Sequence, residues 1–210
     1  MAFYHYFSKD ADKRAKFIFN FIAPVYGLAD KVLKKNFEQA AENLKSLDDF
    51  SGKSIIDIGT GTGAWAAAMN TILQPQKVTG TDFSANMIKQ ARKKHPEIDF
   101  FKGNGEDLSD IPDNTYDIAS ASLVLHGVKE DKRAKLLDEM ERIAKEKLIF
   151  QDFVGKTPAF ISFLEYLEKS DYKHFKENFC KELQSRYGKC FSKQIRAGIG
   201  LYVAELNKEY

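Results

Sequence analysis

Blocks of apolar residues alternate with amphipathic stretches from residue 54 onward. Ser54–Ile58 carries three isoleucines around Asp57, the run expected of a strand covered on both faces. Similar short runs predict strands at 77–81, 98–102, 116–120 and 147–153. Helical spacing predicts helices between them, at 64–73, 84–94 and 131–143. In the last of these Leu136, Leu137, Met140 and Ile143 share one face. Ser84 is placed to cap its helix, and His95-Pro96 ends it, because the residue before proline is pushed out of the α region. Strand and helix in regular alternation imply a parallel sheet with helices on both faces.

Both flanks depart from this alternation. Residues 8–47 read as two helices broken near Ala23-Pro24, and further helices are expected at 157–169 and 171–187, the second stopped by Gly188. Cys190–Arg196 and Ile199–Leu206, joined around Ala197-Gly198, read as a hairpin. The expected fold is therefore α/β: a doubly wound, Rossmann-like mixed sheet, parallel except for a C-terminal antiparallel hairpin strand. One domain over 1–210 is expected, with a helical cap at 1–50, a core at 51–153, and cover helices plus the closing hairpin at 154–210.

The 210 residues suffice for one sizeable core. With 32 basic and 30 acidic side chains the net charge is +2, which gives no electrostatic case for a nucleic-acid partner. No apolar run reaches membrane-spanning length, and the start, Met1 to Tyr6, lacks the regions of a signal peptide, so a cytoplasmic setting is expected. In that setting Cys180 and Cys190 are expected as free thiols. His5, His95 and His174 show no metal-ligand spacing, and no metal is expected.

The chemistry concentrates where the first strand ends. Gly59, Gly61 and Gly63 let the backbone turn sharply and approach a ligand, and the helix that follows presents unpaired N–H groups to the same crevice. Gly59, Gly61 and Ala64 also satisfy the loose dinucleotide fingerprint, with Asp82 at about the distance of a ribose-binding acid. The glycines alone leave NAD and other adenosine cofactors open. Asp57 stands just before the turn, where a carboxylate can accept hydrogen bonds from the loop or from a cationic ligand group. Asp82 ends the second strand with Phe83 and Met87 beside it, and Asn104-Gly105-Glu106 follows the third. Phe83 and Met87 lie four residues apart at a helix start, suited equally to core packing and to covering an adenine face.

Asp57-x-Gly59-x-Gly61-x-Gly63, Asp82, Asn104-Gly105-Glu106 and Ser122-Leu123-Val124-Leu125-His126, taken together and in order, resemble the class I S-adenosylmethionine-dependent methyltransferases over roughly residues 50–153. The resemblance implies that Gly59, Thr60, Gly61 and Thr62 lie along the methionine moiety. It also implies that Asp82 holds the ribose hydroxyls and that Asn104 and Gly105 hold the adenine. Tyr26, Glu106 and Ser122 complete the cofactor-binding set that it implies. A narrower resemblance joins Phe19–Tyr26 and Asn104-Gly105-Glu106 to the ubiquinone/menaquinone biosynthesis C-methyltransferases. The chain departs from that pattern at Gly27, where an acid is usual, and at Lys34-Lys35-Asn36-Phe37, in place of a basic, tryptophan-bearing segment.

The implied function is methyl transfer from S-adenosylmethionine to a small-molecule acceptor, a quinone-type ring being one candidate. A non-catalytic S-adenosylmethionine-binding protein and an NAD-linked oxidoreductase stay open as alternatives, as do the acceptor atom and the oligomeric state. His126, after the fourth strand, is the candidate general base, since an imidazole titrates near neutrality. Asp152, ending the fifth, either faces the same rim or caps the next segment. Tyr4, Tyr6 and Tyr26 either close over the cofactor or pack against helices.

Overall fold

The computed structural model describes residues 34–157, 171–196 and 198–206. Among them, seven strands form one sheet in the order β3-β2-β1-β4-β5-β7-β6. In chain order, a helical segment at residues 34–45 (α1) precedes β1 (Ser54–Ile58), α2 (Ala64–Leu73), β2 (Lys77–Asp82), α3 (Ala85–Lys94) and β3 (Asp99–Lys102). Then come β4 (Tyr116–Ser122), α4 (Glu130–Ile143), β5 (Ala144–Phe153), α5 (Tyr172–Tyr187), β6 (Phe191–Arg196) and β7 (Ile199–Glu205). β1 to β5 run parallel, and β7 pairs antiparallel with both β5 and β6. The expected mixed sheet with its closing hairpin is the observed one. The N-terminal aromatic segment up to residue 33 and the helix expected at 157–169 lie outside the described residues, apart from Thr157.

Alternation along β1 divides the core. Ile55 faces α1, α2 and α3 with Trp65, Met69, Val78 and Phe100, whereas Ile56 and Ile58 face α4 and α5 with Leu137, Phe150 and Phe179. Burying a large apolar side chain contributes roughly 1.5–3 kcal/mol, so these two layers dominate the stability of the sheet. Local signals set the helix ends. The Ser84 hydroxyl accepts the Met87 N–H at 3.4 Å, His95 ends α3 before Pro96, and Gly188 ends α5 at a φ of 77°.

Two strand boundaries differ from expectation by more than one residue. β4 extends to Ser122, and β5 begins at Ala144 directly after α4, not at Lys147. Lys145 and Glu146 are polar, which hides the strand start, but each has a partner across the sheet end. Lys145 donates to Asp117 at 3.1 Å, and Lys53 donates to Glu146 at 2.6 Å. Arg133 of α4 is fully buried and ties α5 down through Glu182 (2.9 Å) and Asp171 (3.1 Å), with Phe175 under its guanidinium. Both cysteines are free thiols. No helix among the described residues is long and apolar enough to cross a membrane.

Candidate active site

The strand ends that carry the predicted residues lie together at the C-terminal edge of the sheet, where ligands of open α/β folds bind. The glycine loop after β1 is stitched to β2. Thr60 N–H donates to the Thr81 carbonyl at 2.9 Å, and Gly61 N–H donates to Asp82 Oδ2 at 2.9 Å. The other Asp82 oxygen accepts Ser84 N–H at 2.8 Å, so this one carboxylate braces both the loop and the start of α3. Each oxygen has a second lone pair, which leaves capacity for two hydroxyl donors. Burial raises the Asp82 pKa against the opposing pull of the two amides.

Asp57 differs from the sequence expectation in one respect. It accepts nothing from the loop: both carboxylate oxygens are buried with no hydrogen-bond partner. Burial pushes its pKa up to about 7; the neighbouring Thr60 hydroxyl eases the shift without an ordinary hydrogen bond, and the negative Asp82 adds to it. Its neighbours in register are Gly80 and Ser120, and the Ser120 hydroxyl is taken by the Trp65 indole N–H at 2.8 Å.

Close approach fixes Gly59 and Gly105. At Gly59 (φ 70°) a Cβ would sit 2.6 Å from the Val124 side chain. At Gly105 a Cβ would sit 2.6 Å from Leu136 and 2.9 Å from Ile58, so this glycine seats the turn after β3 on the core. Asn104 is exposed at that turn and accepts Glu106 N–H at 3.2 Å, while Glu106 pairs with Lys132 at 3.4 Å. Phe83 is 58% exposed at the rim, and Met87 is half-buried beside it. Thr62 lies half-buried in the loop, and the Ser122 hydroxyl donates to Gln151 at 2.6 Å. Tyr26, Tyr4 and Tyr6 fall outside the described residues.

The sequence does not reveal what joins β4 to β5. Leu123 takes a φ of 53°, an outlier for a branched-chain residue, held by its N–H to the Gln151 carbonyl at 2.9 Å. This reversal lays Val124 on Gly59 and carries His126 to β5. There its Nδ1 lies 2.7 Å from Asp152 Oδ1, with both residues buried. Asp152 also accepts the backbone N–H groups of Phe153 at 2.7 Å and of His126 at 3.4 Å. Phe153 meets the imidazole edge-on at 4.6 Å between centroids. Asp152 thus engages both His126 and its own next residue, Phe153. The available signal was positional, since His126 follows the end of β4 and Asp152 is the penultimate residue of the neighbouring parallel strand β5.

This rim suits a cationic nucleoside: a buried carboxyl without a partner, a loop of backbone donors and a second acid with spare lone pairs. Residues 55–147 match the methyltransferase domain family. Demethylmenaquinone methyltransferase of Listeria welshimeri is 31% identical over 136 residues, covering 61% of this chain and 56% of that protein. The enzyme of the same name from Renibacterium salmoninarum is 29% identical over 164 residues, or 73% and 65% of the two chains. The chain thus spans little more than half the length of the Listeria relative. Magnesium protoporphyrin IX methyltransferase from Synechocystis, solved with bound SAH, shares the fold at a TM-score of 0.62 and 16% identity, covering 82% of this chain and 84% of its own.

Proposed function

We propose that this protein transfers a methyl group from S-adenosylmethionine to a small-molecule acceptor, with a quinone-type ring the favoured class. The observation that carries the reading is the glycine loop braced on Asp82 beside the unpartnered carboxyl of Asp57. The match to the methyltransferase domain and the likeness to demethylmenaquinone methyltransferases support it. In this reading Gly59, Thr60, Gly61 and Thr62 flank the methionine moiety. The spare lone pairs of Asp82 accept the ribose hydroxyls. Phe83 and Met87 cover one adenine face, and Asn104, Gly105 and Glu106 edge the other side. Tyr26 and Ser122 complete the enclosure.

Bound S-adenosylmethionine supplies an electrophilic methyl on a sulfonium. The chain's own task is to hold an acceptor in line and exclude water. His126, oriented by Asp152, takes a proton from an acceptor that must lose one. The protein works in the cytoplasm without nucleic acid, as one domain. Incubation with methyl-labelled S-adenosylmethionine and a panel of reduced naphthoquinones, phenols and amines tests the reading. Label is expected on the reduced quinone. Binding of the cofactor with no transfer to any acceptor would favour a non-catalytic binding protein instead.

A further inference from the structure

Among the described residues, Asp57 is the one buried carboxylate with neither oxygen hydrogen-bonded. Nothing packed against it among the described residues supplies a positive charge. On β2, Gly80 has no side chain and Asp82 is itself an acid. On β4, the facing Ser120 is engaged by Trp65, and α2 contains no charged residue. His95, which closes α3 beside Gly63, is held below its usual pKa by burial and is neutral near pH 7. The basic residues of α3 are exposed, and Arg92 is turned to the Phe100 carbonyl at 2.6 Å. On α1, Lys34, Lys35 and Lys45 are likewise exposed, and the acids Glu38 and Glu42 could not neutralise a carboxylate. A carboxylate in such a place is neutralised either by a proton or by a cation brought from outside.

We infer that Asp57 senses the charge of the cofactor, releasing a proton when cationic S-adenosylmethionine enters the glycine loop and recovering one when the neutral thioether product is left. The inference rests on the proposed function. On binding, the carboxyl O–H bond breaks, the proton passes to solvent, and the carboxylate faces the cofactor's positive charge with no new covalent bond. After transfer the sulfur is neutral, and the carboxylate takes a proton from solvent. S-adenosylmethionine and S-adenosylhomocysteine carry the same ammonium group and differ in charge at sulfur, so comparing them isolates the sulfonium contribution. Raised to about 7, Asp57 is poised to make this exchange near neutrality.

The test is calorimetric titration of the whole protein with each sulfur nucleotide at pH 6 and 7, in two buffers of different ionisation enthalpy. S-adenosylmethionine affinity is expected to rise about fivefold between these values, with net proton release. S-adenosylhomocysteine is expected to show a smaller rise and less release. Asp57→Asn should abolish both the release and the difference between the ligands. If that variant fails to fold, proton release by the wild type still decides the matter. Binding of S-adenosylmethionine without proton release, or equal release with both nucleotides, would overturn the inference and leave the proposed function standing. No binding at either pH would overturn both.

Discussion

The two ends of the sheet treat their acids in opposite ways. At the N-terminal end, Asp117 accepts the Ser54 N–H and hydroxyl, both at 2.7 Å, together with Lys145. Lys147 lies between Asp48 and Glu205. Burial pushes Asp117 up, yet Ser54 and Lys145 outweigh it and hold the carboxyl below its ordinary range; the hydrogen bond from Lys147 does the same for Asp48. At the C-terminal end the shifts reverse. Asp57 and Asp82 are both raised, with burial the leading cause. One end satisfies its own charges and serves stability. The other leaves Asp57 without a partner and Asp82 with spare lone pairs, the state expected where a ligand completes the set.

The contrast breaks most visibly at Asp82. Asp82→Ala removes the acceptor for the Gly61 and Ser84 amides and for the proposed ribose contact, so cofactor affinity should fall by roughly 2–4 kcal/mol. Calorimetry on a folded variant checks this, and an unchanged dissociation constant would reduce Asp82 to a strand terminus.

A second comparison concerns pH. Because the folded protein holds the Asp57 proton more tightly than the unfolded chain, that contribution is complete below about pH 4 and is lost as pH rises through about 7. In urea unfolding, the stability of Asp57→Asn relative to wild type should therefore improve by about 2–4 kcal/mol between pH 4 and pH 8. A constant difference would mean that Asp57 does not titrate in that window.

At the opposite end, Asp117→Ala should cost about 1–3 kcal/mol of stability by stranding the Ser54 N–H, with cofactor affinity unchanged. Loss of cofactor binding in a folded Asp117→Ala protein would erase the distinction between the two ends. The smallest effect is expected at Phe83. Exposed as it is, its replacement by alanine should alter stability by less than about 0.5 kcal/mol. Its affinity cost should be about 0.5–1.5 kcal/mol through lost stacking, and equal binding would remove Phe83 from the adenine platform.

Much of this was legible in the residues. Apolar runs and capping signals located the strands and helices, because each carries its period locally. The start of β5 was hidden, since Lys145 and Glu146 are polar residues accommodated by partners distant in sequence. At the site, the glycine turn and Asp82 were readable because the motif lies within one strand–turn–helix unit and the next strand. The division of labour was not: Asp82 ties down the loop, whereas Asp57 stands unpartnered. The pairing of His126 with Asp152 was equally hidden, since it depends on the left-handed turn at Leu123 and on two strands meeting in register. The resemblance assigns Gly105 to the adenine, but the packing of Leu136 and Ile58 beneath it already demands a glycine.

The most direct test of the central claim is equilibrium titration of the protein with S-adenosylmethionine, S-adenosylhomocysteine and NAD at neutral pH. An under-satisfied rim built for a cationic adenosine cofactor predicts micromolar-range binding of both sulfur nucleotides, about 8 kcal/mol, with no measurable response to NAD. Binding of NAD with no response to either sulfur nucleotide would contradict the account.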